Sequence, residues 1–270
     1  MTQNYIDIFK KDGIIKIKNF FNKDEVQQIK DRIRPYIGKK GNEETYFPVN
    51  IKQKIIKFFK FDFKRIENSN FLLKISLDKK MNLMANDLFG EQSYLVTMDS
   101  YHTPISSKEV SPWHIDQFYG HKESITDKEI VHPKSCAIKF FIYLSEVGSH
   151  NGCTSYIPGS HKITYALRKG IFEKKINYKP MLWLKDLNNY LSLVEIKEFL
   201  YEYFSGSREM EDMLEKINFI NENSDNNKYD FQMSPGDAII FDEGGVHKGS
   251  KTMINERLVL RYHYLIKNIK

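Results

Sequence analysis

The amino-acid sequence predicts a β-rich barrel with helical additions, and three observations carry that prediction. Four segments, YLVTMDSYH from Tyr94, CAIKFFIYL from Cys136, DAIIFDE from Asp237 and RLVLRYHYLI from Arg257, are apolar, β-branched and aromatic, and are bounded by Gly, Pro, Ser or Asn. These read as core strands. Between Thr164 and Asn227 the period changes, because LSLVEIKEFLYEYF and SREMEDMLEKINFI carry apolar residues three and four apart with acids and lysines between them, the pattern of amphipathic helices. Finally, 270 residues at 41% hydrophobic content suffice to bury a substantial core, and a barrel with helical additions fills that length as one domain, 1–270, with a helical insertion at about 164–227.

Taken in order, residues 6–37 read as an αβα entry. A short helix ends at a Gly13 turn, Ile14 to Ile17 alternate as a strand, and a second helix begins near Asn22 to Asp24 and is stopped by Pro35. The four core strands follow, interrupted by the helical insertion, and ENSDNNK at 222–228 is a low-complexity loop. There is no internal repeat.

Composition excludes several function classes. No apolar run reaches the ~18 residues a membrane-spanning helix needs, and MTQNYIDIFKKDG lacks the apolar stretch of a secretory signal, so the chain reads as cytoplasmic. Cys136 and Cys153 have no paired metal spacing and read as reduced, structural thiols. The net charge of +6 comes from lysines spread among nearly as many acids, the mark of a solvated surface. Basic and aromatic residues interleave in KFFKFDFKR, 57–65. An amphipathic segment in a Lys- and Phe-rich chain produces the same text, so no nucleic-acid partner is expected.

The chemistry sits elsewhere, in PWHIDQ at 112–117. His114 and Asp116 are two apart, and on an extended segment such residues point to the same side. Alone, the pair carries little. A third partner, His247, emerges where Gly244 and Gly245 break the apolar run after SPGDAIIF. Two imidazoles and one carboxylate are the set with which non-haem iron(II) oxygenases hold their metal while leaving positions open for a chelating co-substrate and dioxygen. Arg257, at the start of the last strand, adds a guanidinium suited to grip the distal carboxylate of 2-oxoglutarate.

These stretches, with FKKDGIIKIKNFF near the N-terminus and IYLSEVGSHNGCTSYIPGSHK at 142–162, resemble the phytanoyl-CoA dioxygenase family of iron(II)- and 2-oxoglutarate-dependent oxygenases. The resemblance implies a mainly β fold, a double-stranded β-helix (a cupin-like jelly roll) with the metal at one mouth. It implies His114, Asp116 and His247 as the metal ligands and catalytic centre, Arg257 as the 2-oxoglutarate anchor, and Met98 and Phe141 as lining of the co-substrate pocket. The implied activity is hydroxylation of an unactivated C–H of a small-molecule substrate, with decarboxylation of 2-oxoglutarate to succinate. Asp116 supports hydroxylation over halogenation, since related halogenases carry a small residue there, while desaturation or ring formation would use the same ligands. The alternatives are a jelly-roll metalloenzyme that does not use 2-oxoglutarate and a non-catalytic binding module on the same fold.

Departures from the family pattern define further expectations. HKGS replaces HGS, so Lys248 displaces Ser250 from the co-substrate. Ile115 stands where a glutamine is common, and Arg261, four residues beyond Arg257, is the fallback anchor. Alternation puts Lys139 on the Phe141 face of its strand, where it would suit an anionic substrate. His161 is expected to hydrogen-bond a loop, and His102, His121, His132, His150 and His263 read as surface or structural. Trp183 and the tyrosines of the insertion read as helix packing, and the insertion itself as a lid.

Overall fold

The structure is a computed structural model, and it describes residues 1–37, 43–116 and 134–266. His121 and His132 lie outside the described residues. The N-terminal entry follows the local chemistry of the sequence. Helix α1 (Gln3–Asp12) ends at Gly13, whose φ of 73° lets its N–H return to the carbonyl of Phe9. Strand β1 (Ile14–Ile17) follows, and α2 (Lys23–Ile33) opens with a capping box between Asn22 and Glu25. Pro35 lies in a single 3-10 turn that closes the segment.

After β2 (Glu43–Phe47), three helices precede the barrel: α3 (Ile51–Phe59), α4 (Phe63–Asp78) and α5 (Met81–Phe89). The apolar period of α4 is weak in the sequence for a physical reason. The buried positions of α4 include Asn68, Ser69 and Ser76 beside Leu72, and α3 buries nothing. The Asn68 amide donates to the carbonyl of Arg32, and the Ser69 hydroxyl donates to that of Pro48, so hydrogen bonds do there what apolar packing does elsewhere.

The remaining strands are β3 (Ser93–Thr103), β4 (Ser111–Ile115), β5 (Ala137–Tyr143), β6 (Thr154–Tyr156), β7 (Leu182–Trp183), β8 (Asp230–Phe231), β9 (Ala238–Asp242), β10 (His247–Gly249) and β11 (Arg257–Ile266). One sheet has the order β1-β9-β5-β11-β3-β2 and the other β7-β4-β10-β6-β8. All the pairings are antiparallel. The two sheets form the expected jelly roll.

Alternation along each strand decides what faces the barrel interior. On β5, Ile138, Phe140 and Ile142 pack outward in a cluster with α2, α4 and α5, while Phe141 and Tyr143 point between the sheets to meet Tyr156, Phe241 and Val259. On β11, Leu258, Leu260, Tyr262 and Tyr264 take the outer face. Arg257, Arg261 and His263 therefore share the inner face with Val259.

The helical insertion comprises α6 (His161–Phe172), α7 (Leu184–Leu191), α8 (Val194–Tyr203) and α9 (Ser207–Glu222). Its apolar faces pack with Trp113, Ile115 and Val246 beneath the smaller sheet. One expectation is corrected here. Trp183 lies not in a helix but in β7, directly opposite His114 on β4 and 43% exposed.

Candidate metal centre

His247 and His114, far apart in the chain, are register partners on β10 and β4. Their ring centroids are 4.3 Å apart. Asp116 lies one residue beyond the end of β4, held by its N–H, which donates to the carbonyl of Glu243 at 3.3 Å. One ligand atom from each of His114, Asp116 and His247 lies within 4.8 Å of the others. The expected trio therefore converges.

The two imidazoles are oriented by the backbone. Nδ1 of His114 lies 2.6 Å from the carbonyl of Pro112, and Nδ1 of His247 lies 2.8 Å from that of Gly245. A neutral imidazole that donates from Nδ1 presents its Nε2 lone pair. Those Nε2 atoms face the two oxygens of Asp116 at 3.3 Å and 3.4 Å. Two lone pairs and an anion directed at one point form a cation site, and the donor set suits a divalent first-row metal.

Close packing beneath His247 fixes its ring. Phe241 lies 5.4 Å from it and Tyr156 stacks at 6.4 Å. Gly245 is what allows Tyr156 there, because a Cβ at that position would sit 1.9 Å from the Tyr156 hydroxyl.

Electrostatics favour a ligating state. Burial alone would push the Asp116 carboxyl up, but the Lys139 ammonium and the imidazoles of His114 and His247 outweigh it and hold it well below the usual carboxylate range. Burial, with the neighbouring His114, pushes the His247 imidazole down, so it stays neutral through the ordinary histidine range. Lys139 is buried and shared, its ammonium bonding Asp116 Oδ2 and lying 3.2 Å from Glu243 Oε2. Glu243 in turn lies 3.2 Å from Nε2 of His263. Lys139 faces the cavity as alternation requires, but the charge expected to serve an anionic substrate is already engaged by two carboxylates.

The trio lines a cavity of about 280 Å³ shared with Tyr101, Phe141 and Arg257. Arg257 is 3% exposed, its Nε has no acceptor, and its guanidinium carbon stands 5.8 Å from the centre of the Phe141 ring. Among the described residues no carboxylate pairs with it. A buried guanidinium without a counter-ion is costly, and a carboxylate entering the cavity would satisfy it. The donor set and this orphaned nitrogen together fit a metal with a dicarboxylate chelate. Arg261, the fallback, also reaches the cavity but is saturated, bonding Asp99 at 3.0 Å and 2.6 Å and Glu44 at 2.7 Å.

Met98 is a correction. It pairs with Tyr262 on the outer face of the sheet, fully buried in the cluster against the helices. Its neighbour Asp99 and, two further on, Tyr101 take the inner face. Ile115 likewise packs into the insertion's core, so no polar contact to the cavity is lost there. Ser250 lies within 3.3 Å of Cys153 Sγ and Ser155 Oγ, away from the cavity. Lys248 reaches out to the carbonyl of Ser224 at 2.5 Å and over the Trp113 ring. His161 is buried at the start of α6 and its Nε2 lies 3.3 Å from the carbonyl of Lys10, which belongs to helix α1 and not to a loop. Sequence reasoning missed Tyr101, Glu243 and the place of Trp183. Glu243 had a signal, the second of two acids after the apolar run AIIF, whereas Trp183 needed the pairing of β7 with β4.

The two-sheet barrel defines a jelly-roll protein of the double-stranded β-helix class, with a His–Asp–His group that could hold a metal ion at its mouth. The family model of phytanoyl-CoA dioxygenase (PhyH) matches residues 9–253, and the chain belongs to that family. Among solved structures the chain is similar to HygX from Streptomyces hygroscopicus, a structure with nickel and 2-oxoglutarate bound, at 15% identity, over 99% of this chain and 88% of that one, with a TM-score of 0.59. It is also similar to SnoN, an epimerase in complex with Fe3+, alpha ketoglutarate and nogalamycin RO, at 12% identity over 98% and 83% of the two chains, with a TM-score of 0.56. A third is SnoK, an alpha ketoglutarate dependent carbocyclase from nogalamycin biosynthesis, at 11% identity over 98% and 84%, with a TM-score of 0.55. No curated protein matches the chain.

Proposed function

We propose that the protein is an Fe(II)- and 2-oxoglutarate-dependent oxygenase that hydroxylates an unactivated C–H of a small molecule, converting 2-oxoglutarate to succinate and CO2. The observation that carries this is Arg257, a buried guanidinium with an unpartnered Nε in the same cavity as the His–Asp–His trio. Family membership supports the reading, as does the presence of metal and 2-oxoglutarate in the HygX and SnoN structures.

His114, Asp116 and His247 would hold the iron, and Arg257 would bind the distal carboxylate of 2-oxoglutarate. When bound, the iron supplies activation of dioxygen, coupled to oxidative decarboxylation of the co-substrate. The remaining chemistry belongs to the chain. The carbonyls of Pro112 and Gly245 keep both imidazoles in the ligating tautomer, and Phe141 walls the guanidinium from water, which strengthens its pairing with an incoming carboxylate. At about 280 Å³ the cavity is at the small end for ligand sites, which suits a co-substrate and only the reacting part of a substrate.

The test is succinate formation by anaerobically iron-loaded protein given 2-oxoglutarate and oxygen. Succinate from the wild type, lost in both His114→Ala and Arg257→Ala, is the expected result. No succinate together with no 2-oxoglutarate binding in the metal-loaded protein would overturn the reading.

A further inference from the structure

Helix α3 is anomalous for a water-soluble surface. It buries none of its residues, and a nine-residue helix gains little stability in water without tertiary packing. Ile51, Ile55 and Ile56 are 77%, 49% and 47% exposed. Phe58, Phe59 and Phe63 continue the patch into the turn before α4, and Phe61 at the crest is 81% exposed. The Phe61 backbone adopts φ 55°, a conformation bulky side chains avoid, and it holds the ring outward. The phenylalanines pack edge to face on one another, Phe58 against Phe63 at 5.3 Å and Phe61 against Phe63 at 6.2 Å, so the tip is one convex apolar knob. An apolar patch this continuous marks a surface that meets something.

The charges around the knob say what. Residues 51–65 carry six basic side chains and a single acid, Asp62, which Arg65 and Lys57 already share. Lys52, Lys60 and Lys64 have no acidic partner among the described residues. A symmetric contact with a second copy would bring these lysines against themselves. A nucleic-acid platform needs separated ring faces, whereas these rings face each other and three of the apolar residues are isoleucines with nothing to stack. A protruding aliphatic and aromatic tip ringed by lysines matches the acyl-chain and headgroup layers of an anionic bilayer.

We propose that the α3–α4 hairpin docks the protein peripherally on anionic lipid, with Phe59 and Phe61 entering the acyl boundary and the lysines meeting the headgroups. The inference rests on this surface alone and is independent of the reaction. The hairpin stands on a strand that borders the metal cavity: Arg65 donates to the carbonyl of Tyr46 on β2 at 3.1 Å, and Glu44 of the same strand holds Arg261 at the cavity wall.

The test is co-sedimentation of the full chain with vesicles of phosphatidylglycerol and phosphatidylcholine in equal parts, and with pure phosphatidylcholine. Binding to the anionic vesicles that falls by about ten-fold or more in Phe59→Ser/Phe61→Ser, and equally in Lys52→Glu/Lys60→Glu/Lys64→Glu, is the expected result. The emission of the Phe61→Trp variant should shift to the blue when vesicles are added, read as the difference from wild type. Circular dichroism confirms that these exposed substitutions leave the fold intact. The proposal is overturned by absence of binding to anionic vesicles, or by an unshifted emission difference for the Phe61→Trp variant in the bound state. Tighter binding to single-stranded RNA, or a vesicle-free dimer that buries position 61, would also overturn it.

Discussion

Lys139 and Asp116 form a buried ion pair in which the ammonium bonds Oδ2, the carboxylate oxygen that also faces His247. With Glu243 on its other side, Lys139 is one cation between two buried anions. Removing it takes away the ammonium the two carboxylates share, leaving Asp116 only the imidazoles of His114 and His247 and Glu243 only that of His263, so Lys139→Met should lower stability of the metal-free protein by about 3–5 kcal/mol. A divalent ion bound at Asp116 restores part of that charge balance. The Tm increase on adding Mn(II) should therefore be larger in Lys139→Met than in wild type, by differential scanning fluorimetry. An equal or smaller increase would show that Lys139 does not balance Asp116.

Arg257 and Arg261 share a strand face but differ in what they touch, and their substitutions should separate. Arg257→Gln removes an unpaired cation, so folding stability should stay within about 1 kcal/mol of wild type, while 2-oxoglutarate affinity of the Mn(II)-loaded protein falls by about 30-fold or more. Arg261→Gln instead strands Asp99, which is fully buried and whose carboxyl is already pushed up to about 6 by burial against the pull of Arg261. Its cost should be about 3–5 kcal/mol near neutral pH. Without Arg261 the carboxyl rises further above about 6, so in the variant Asp99 takes its proton at higher pH than in the wild type, and the loss should shrink as pH falls toward about 6, where the wild-type carboxyl is protonated as well. Urea unfolding and isothermal titration calorimetry read the two effects.

Most of the barrel was legible because strands buried between layers carry their own text. The runs from Cys136 and Arg257 gave β5 and β11, and strict alternation placed Lys139 and Phe141 on one face. The same rule applied to β3 would have put Met98 beside Phe47 and Tyr262, outside the cavity, but the register that sets which face points inward is a property of the neighbouring strand. Pairing distant segments is equally invisible: β7 is two residues long, and nothing in the sequence sets Trp183 opposite His114. Helix α4 was hidden because the residues it buries are largely polar and are satisfied by hydrogen bonds. The His–Asp–His trio was readable because its residue types are scarce and their order is fixed, whereas the free state of Arg257 follows only from which carboxylates fail to reach it.

Gly245 is required by a close approach and not by its backbone angle. A methyl group there would meet the Tyr156 ring and hydroxyl at 1.9–2.5 Å, and neither the fully buried tyrosine nor β10 has room to yield. Gly245→Ala should cost about 1–3 kcal/mol through overpacking. Because the Gly245 carbonyl accepts from His247 Nδ1, any shift of the backbone also turns the imidazole, and Mn(II) affinity should fall by about ten-fold or more. Tyr156→Phe in the Gly245→Ala background removes one of the clashing atoms and should recover part of the stability. Full stability and metal affinity in the single variant would show that the packing here is looser than the contacts imply.

The depressed His247 imidazole has a consequence for acid stability whose sign is fixed by where the proton binds. In the folded protein burial and His114 push its pKa below the ordinary 6.5, so below that value the unfolded chain binds the proton more readily. The stability His247 contributes is complete above 6.5 and is lost as pH falls from there toward the folded-state value. A metal on Nε2 excludes the same proton, so metal binding should also persist below the pH at which an ordinary histidine would release it. The Mn(II)-induced rise in Tm should hold near the ordinary histidine pKa and shrink only below it, as pH falls toward the depressed folded-state value. His247→Gln keeps a polar side chain but loses the basic nitrogen. It should show no Mn(II) rise at any pH and a flatter fall in stability on acidification. If the variant instead tracks wild type through the whole acid range, the pH dependence belongs to other groups and His247 is not the neutral ligand that its burial and its bond to Gly245 make it.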